Sequence, residues 1–183
     1  MRITAGSSKG RRVVSARPGK GLRPTGAKVR QAVFDILREG VIDAAFLDLY
    51  AGSGAVGFEA LSRGAARVCF IDRDPAVISD IKRYPLFSST VGNQAIVATA
   101  EEALKRLAAR AETFDVVYVD PPYHGDELDI ALPLIGSGNV LKTAALVIVE
   151  HFSKRPVPET SGRLTIKRSY RYGDTMLSLY TFL

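Results

Sequence analysis

Ala45-Phe46-Leu47-Asp48-Leu49-Tyr50-Ala51-Gly52-Ser53-Gly54-Ala55-Val56-Gly57 reads as a buried strand that opens into a glycine turn and then into a helix continuing through Phe58 to Arg63. The apolar run from Ala45 to Tyr50 is broken only by Asp48 and is too short for a helix, which fits a strand covered on both faces. The spacing of Gly52, Gly54 and Gly57 matches the nucleotide-binding fingerprint, in which glycines permit a tight turn and close approach of backbone to ligand. Strand, glycine turn and helix in this order predict an α/β chain with a ligand at the carboxyl ends of its strands.

Two acids near this turn narrow the ligand. Asp48 lies just before the loop, where a carboxylate repels a pyrophosphate but suits the ammonium and sulfonium charges of S-adenosylmethionine. The next apolar run, Arg67 to Ile71, ends at Asp72, an acid placed to take both hydroxyls of a ribose in either nucleotide class. The plainer readings are a satisfied polar group at a strand end for Asp48 and a turn former for Asp72.

A second stretch carries chemistry of its own. Phe114-Asp115-Val116-Val117-Tyr118-Val119 predicts another buried strand, with Val116 to Val119 at its centre, and it ends in Asp120-Pro121-Pro122-Tyr123. Proline lacks an amide hydrogen and holds its predecessor extended, so the carbonyls here are rigid acceptors beside the Asp120 carboxylate. An exocyclic amine of a nucleobase can donate one hydrogen to Asp120 and the other to a proline carbonyl while Tyr123 covers the ring. A strand ending in an ordinary turn is the alternative. If the two runs are the first and fourth strands of an open sheet, the reversal of strand order sets them side by side. The glycine loop and Asp120 then share one crevice.

Asp48-Leu-Tyr-Ala-Gly-Ser-Gly-Ala-Val-Gly57, Glu59-Ala-Leu-Ser-Arg-Gly64, Asp120-Pro-Pro-Tyr123 and Gly21-Leu-Arg-Pro-Thr25 with Val29-Arg30 and Phe34 closely resemble the bacterial 16S ribosomal RNA guanine-N2 methyltransferases of the RsmD type. The match runs over nearly the whole chain. The glycine loop and Asp-Pro-Pro-Tyr occur in many amino methyltransferases, and Leu22-Arg-Pro-Thr25 is the narrower marker. The resemblance implies a Rossmann-like methyltransferase fold with a mostly parallel, seven-stranded sheet, an antiparallel edge and an N-terminal β-hairpin. It also implies S-adenosylmethionine as donor and one guanine amine of 16S rRNA as acceptor, carried within a small subunit or late assembly particle. Asp120, Pro121 and Tyr123 are the implied catalytic residues, and Asp48, Gly52, Ser53, Gly54, Asp72, Arg73, Ala100 and Glu101 the implied donor site. One position departs from the family. Ala100 stands after the third predicted strand, Ala95 to Thr99, where the family has a polar or acidic residue near the adenine, which leaves a backbone amide for that contact.

The chain, 183 residues long, suits one methyltransferase domain, 25–183, preceded by an arm, 1–24. Apolar stretches such as Ala144 to Val149 fall far below the ~20 residues that span a bilayer, and no apolar signal segment precedes the basic N-terminus, so a cytoplasmic location is expected. The single cysteine, Cys69, belongs in a core strand, and His124 and His151 without paired cysteines give no metal site.

Residues 1 to 34 hold nine basic side chains and no acid, whereas the remainder holds 16 basic and 19 acidic residues, a net −3 against +6 for the whole chain. The positive excess therefore sits in the arm, whose glycines suggest a hairpin able to follow a phosphate backbone. Lys9, Arg11, Arg12, Arg17, Lys20, Arg23, Thr25 and Arg30, with Tyr123, are the candidate RNA contacts; a solvated basic surface is the bland reading. Arg2 to Thr4 and Arg11 to Val14 are expected as short strands around a turn at Gly6 to Gly10. Thr25 is expected to cap a helix with apolar positions Val29, Ala32, Val33, Ile36 and Leu37, Gly40 to stop it, and Arg30 to point toward the crevice. Glu101 to Ala111 predicts a helix, Ala144 to Val149 a fifth strand, and Arg163 to Arg168 with Met176 to Phe182 a closing antiparallel pair.

Two other functions use some of these parts. An adenine-N6 methyltransferase needs the same Asp-Pro-Pro-Tyr quartet, and a non-catalytic RNA-binding assembly factor needs only the basic arm. A nicotinamide oxidoreductase fits less well, because no hydride-transfer site is evident. A monomer is the simplest expectation for a chain that approaches so large a partner.

Overall fold

The computed structural model describes residues 2–13, 26–122 and 125–182. Arg17, Lys20, Arg23, Thr25, Tyr123 and His124 lie outside the described residues. The strands are β1 Ala45–Asp48, β2 Arg67–Asp72, β3 Gln94–Val97, β4 Phe114–Val119, β5 Leu141–Phe152, β6 Thr160–Ser161, β7 Leu164–Tyr172 and β8 Thr175–Phe182. The helices are α1 Ala27–Leu37, α2 Ala55–Ser62, α3 Pro75–Arg83, the single turn α4 Pro85–Ser88, α5 Ala100–Ala109 and α6 Glu127–Gly136.

All strands join one sheet in the order β3-β2-β1-β4-β5-β8-β7-β6. The five strands β3, β2, β1, β4 and β5 run parallel, and β8, β7 and β6 continue the sheet in antiparallel pairing. This is the Rossmann-like methyltransferase architecture with an antiparallel edge that the sequence predicts, but with eight strands rather than seven. The additional strand is the two-residue β6, pinned only to Thr165 and Leu164 of β7 and too short to leave a periodic signal. The fifth predicted strand extends at both ends, from Leu141 to Phe152.

Burial explains the parallel half. Every residue of β1 is buried, as are the central residues of β2 and β4, because helices cover both faces. One apolar cluster, with Phe34, Phe46, Val56, Phe58 and Phe70, fills the face covered by α1 to α4. The other, with Leu47, Cys69, Leu104, Val117 and Leu132, lies beneath α5 and α6. Cys69 is fully buried within it, and burial pushes its thiol up to about 12, so it packs as a small apolar side chain.

Several local expectations are corrected. The N-cap of α1 is Gly26 and makes no side-chain cap bond. The helix ends at Arg38, whose φ of 50° turns the chain into a short 3-10 segment, Arg38–Val41, so Gly40 lies inside that segment rather than stopping the helix. The N-terminal strands reduce to a single antiparallel bridge, Arg2 opposite Arg12, supported by Ile3 N–H to Arg11 O (3.0 Å) and Gly10 N–H to Ile3 O (2.9 Å). Ile3 and Val13 nevertheless bury against the same cluster as α1. Helix α3, capped by the Asp74 carboxylate with Pro75 in its first turn, and α6, which carries Pro133 in its interior, have no counterpart in the sequence reading.

Candidate active site

The crevice forms where the chain leaves β1 and β4. The two strands lie side by side with Asp48 opposite Tyr118, and the pairing continues through Leu49 N–H to Tyr118 O at 3.0 Å. Asp120, half-buried, follows Val119 directly, and Pro121 behind it is buried while Pro122 is exposed. The glycine loop, 51–54, leaves β1 at the same edge. The expected adjacency of β1 and β4 at the reversal of strand order is thus present, and the glycine loop and Asp120 both follow at the carboxyl ends of these two strands.

The loop is held by backbone bonds to its neighbours. Ala51 N–H donates to Ile71 O (2.8 Å), Gly54 N–H to Ala51 O (2.7 Å), and Gly52 N–H to Asp72 Oδ2 (2.8 Å). Gly54 stands at the N-cap of α2 with φ of 73°, and a Cβ there would fall 2.8 Å from the Phe58 ring. Gly57 serves packing instead: a Cβ would lie 2.2 Å from the Phe70 ring, so only glycine lets α2 approach β2 this closely. At Gly52 the same construction meets nothing within 4 Å. That open space beside the loop suits a ligand lying against bare backbone.

Asp72 ends β2 half-buried, with Oδ2 accepting from Gly52 and Oδ1 accepting from Asp74 N–H at 2.9 Å. Each carboxylate oxygen keeps a further acceptor site for a hydroxyl. Asp48 is more enclosed, 1% exposed, and Oδ2 takes the Gly57 N–H at 3.0 Å. Burial pushes its carboxyl up to about 7; the Gly57 amide opposes the shift and the neighbouring Asp72 charge adds to it. Asp48 therefore lies beneath the loop, where it supports Gly57.

Around this centre, Thr99 caps α5 in a reciprocal capping box with Glu102, and Ala100 heads the helix where the chain leaves β3. The Glu101 carboxylate pairs with Lys105 at 2.7 Å along the exposed side of α5. Arg73, well exposed, reaches Glu127 of α6 at 3.4 Å and ties the end of β2 to the helix that follows the Asp-Pro-Pro turn. Tyr50 joins this group unforeseen by the sequence reading. Burial, with the Glu127 charge beside it, holds its phenol protonated, above the ordinary tyrosine range. Its position between the β1 run and the first loop glycine was the available signal.

Arg30 does not belong to the crevice. It is 1% exposed, its guanidinium donates to Arg2 O at 3.0 Å, and Nε lies 3.6 Å from Glu59 Oε2. Position 30 stands on the inner stripe of α1 with Val33, Phe34 and Leu37, a spacing that its charge disguised. Glu59 in turn accepts from Thr4 N–H (2.8 Å), Thr4 Oγ1 (2.6 Å), Ala5 N–H (3.0 Å) and Arg63 Nε (2.9 Å). Ser62 adds a bond to Ala5 O and accepts from Ser8 N–H. The first residues of the chain are thereby clasped onto α2, while Lys9, Arg11 and Arg12 remain exposed at the turn.

The family model described as Conserved hypothetical protein 95 matches residues 1–181. The chain belongs to this family, the RsmD type that its motifs resemble. It is 34% identical to Ribosomal RNA small subunit methyltransferase D of Escherichia coli strain K12, over 98% of this chain and 89% of that protein. The RsmD-type protein of Haemophilus influenzae with the same name is 36% identical over 86% of this chain and 81% of its own length. Among solved structures, Escherichia coli yhhF superposes with a TM-score of 0.85 at 30% identity, covering 100% of this chain and 97% of that one.

Proposed function

We propose that this RsmD-type protein transfers the methyl group of S-adenosylmethionine to the exocyclic N2 amine of one guanine in the 16S rRNA of the small ribosomal subunit. The observation that carries this reading is the junction of β1 and β4, which sets Asp120 and its two prolines beside a glycine loop anchored to Asp72. The names of the bacterial relatives supply the substrate class, small-subunit ribosomal RNA.

The residues present fit the donor. Gly52 leaves room beside the loop, Asp72 offers acceptors for ribose hydroxyls, Asp48 supplies negative charge beneath the loop, and the first amides of α5 head the place for an adenine. When bound, S-adenosylmethionine supplies a methyl group already activated by the sulfonium, so the chain has to position a neutral amine and stabilise the charge it gains. Asp120 accepts one hydrogen of the amine and the Pro121 carbonyl the other. These bonds draw the nitrogen lone pair out of ring conjugation, and they strengthen as the nitrogen becomes positive, so they favour the transition state over the ground state. Tyr123 covers the face of a guanine turned out of its stack. The basic arm, with Lys9, Arg11, Arg12, Arg17, Lys20 and Arg23 in residues 1–24, holds the RNA backbone while domain 25–183 carries the chemistry, and the protein acts as a monomer in the cytoplasm.

The test is methyl transfer from radiolabelled S-adenosylmethionine to small subunits lacking this modification, followed by digestion and identification of the labelled nucleoside. Label in N2-methylguanosine is expected. Label in N6-methyladenosine would keep the reaction and overturn the base, and absence of label together with absence of donor binding would leave an RNA-binding protein on this scaffold.

A further inference from the structure

The basic side chains of the chain concentrate in two regions, separated by an acidic centre. Residues 35–150 hold 10 basic and 17 acidic side chains, whereas residues 151–183 hold six basic and two acidic ones. The net −3 of the remainder thus conceals a second positive region, net +4, on the antiparallel edge of the sheet.

Three of these charges lie along one strand and a fourth on the turn that follows β5. On β7, Lys167, Arg168 and Arg171 are exposed, and none of them forms an ion pair among the described residues. The Arg168 guanidinium lies 5.2 Å from the centre of the Tyr170 ring, and Tyr172 is the one aromatic among the exposed large apolar side chains of the described residues. Lys154, also exposed, follows β5, and the adjacent Ser153 N–H donates to Asp174 O at 2.7 Å in the β7–β8 turn.

The direction of the strands decides where this patch faces. Because β8 runs antiparallel to β5, with Thr175 opposite Phe152, the turn after Tyr172 stands at the carboxyl end of β5. That is the edge at which β1 and β4 open into the crevice. Arg168 and Tyr170 pair with Leu179 and Leu177, whose side chains join the apolar cluster of α1, Ile3 and Val13. By the alternation of a strand they share, with Tyr172, the sheet face that carries the N-terminal arm, whereas Arg171, opposite Met176, projects from the other face, so the cations border both sides of this open edge.

We propose that β7 and its turn form a second RNA-docking surface, in which Lys154, Lys167, Arg168 and Arg171 contact phosphates and Tyr172 stacks on a base or ribose. The proposal rests on the RNA reading of the preceding subsection and adds a second handle on the opposite flank of the crevice from the glycine loop. Charged side chains also protect an edge strand from pairing with another chain. Edge protection alone, however, requires neither an exposed tyrosine nor an additional lysine at the tip of the neighbouring turn. Alternating cations and aromatics at the mouth of a nucleobase site are the pattern of nucleic-acid binding.

The experiment compares the wild type with K167Q/R168Q/R171Q, in which glutamines keep the edge polar, and with the single variant R171Q at the turn, in case the triple variant folds poorly. Binding to naked small-subunit rRNA and to assembled subunits is measured without donor across a salt series, with donor affinity as the check of folding. The triple variant is expected to bind both RNAs at least about tenfold more weakly at low salt, with a log–log salt slope shallower by about two to three, and R171Q by about one. Donor affinity is expected to be unchanged. Unchanged RNA affinity and slope in both variants would overturn the proposal, as would a loss seen only with assembled subunits, which would assign the strand to a protein. A wild type that shows the patch-dependent slope yet methylates no guanine would leave the surface standing and remove the catalytic reading instead.

Discussion

Asp48 and Glu59 flank the start and the body of the same helix, both are inside the protein, and they are treated in opposite ways. Glu59 accepts four hydrogen bonds from Thr4, Ala5 and Arg63 and faces the Arg30 guanidinium. Burial alone would raise its carboxyl, but the bonds from Thr4 and Arg63 outweigh burial and hold it below its ordinary value. Asp48 takes the Gly57 amide and is pushed up to about 7. A carboxylate saturated with donors holds structure together, whereas one short of donors beside an open loop is prepared for a charge that arrives with a ligand. The clasp and the crevice thus meet across α2 with opposite electrostatic demands.

The largest expected effect breaks the saturated side. Glu59→Ala leaves the Arg30 charge buried without its carboxylate and strips Thr4 and Ala5 of their acceptor, so a loss of about 3–5 kcal/mol is expected in denaturant unfolding. An unfolding free energy within about 1 kcal/mol of the wild type would remove the clasp from the account of stability. On the crevice side, Asp120→Ala is expected to lower turnover by about a hundredfold or more while donor affinity stays near that of the wild type. Near-normal turnover would sink the role of Asp120 as acceptor of the amine hydrogen. Next in size, Asp72→Ala is expected to weaken donor binding by roughly tenfold, read by calorimetry, through loss of a charged acceptor and of the bond that fixes Gly52. An unchanged donor dissociation constant would take Asp72 out of the ribose site.

The same contrast explains what the sequence disclosed. The parallel strands were legible because residues buried on both faces leave unbroken apolar runs, as in Val116 to Val119. The adjacency of β1 and β4 followed from the rule of strand reversal, and with it the placement of Asp120 beside the glycine loop. Arg30 was misread because a charge on an inner stripe is explained only by its partner on another helix, and no local pattern announces Glu59. Helix α6 was missed because Pro133 interrupts its periodicity, and β6 because two residues carry no period. The basic edge was hidden by the acidic centre of the chain, since a net charge taken over 35–183 averages two regions that the sheet keeps apart. The raised carboxyl of Asp48 was also beyond a linear reading. It depends on how deeply the fold encloses a residue that, in the sequence, simply precedes a glycine turn.

That raised carboxyl makes the finest test of the comparison. A carboxyl raised from 3.8 to about 7 on folding stabilises the native state fully below about pH 4, and this contribution is lost as the pH rises through 7. Asp48→Asn removes the titration while keeping an oxygen for the Gly57 amide. The difference in melting temperature between wild type and variant should therefore shift steadily in favour of the variant from pH 4 to pH 7.5 and level off above that. Donor binding should run the other way. A ligand carrying ammonium and sulfonium charges favours the ionised carboxylate, so below pH 7 the wild type must release a proton from Asp48 as the donor binds, and affinity rises with pH toward that point. Calorimetry at pH 6 in two buffers of different ionisation enthalpy measures this release directly; the wild type should release a larger fraction of a proton than Asp48→Asn. Equal proton release by the two proteins would mean that Asp48 only braces Gly57, and the sign argument that selected a methyl donor over a pyrophosphate would lose its structural basis.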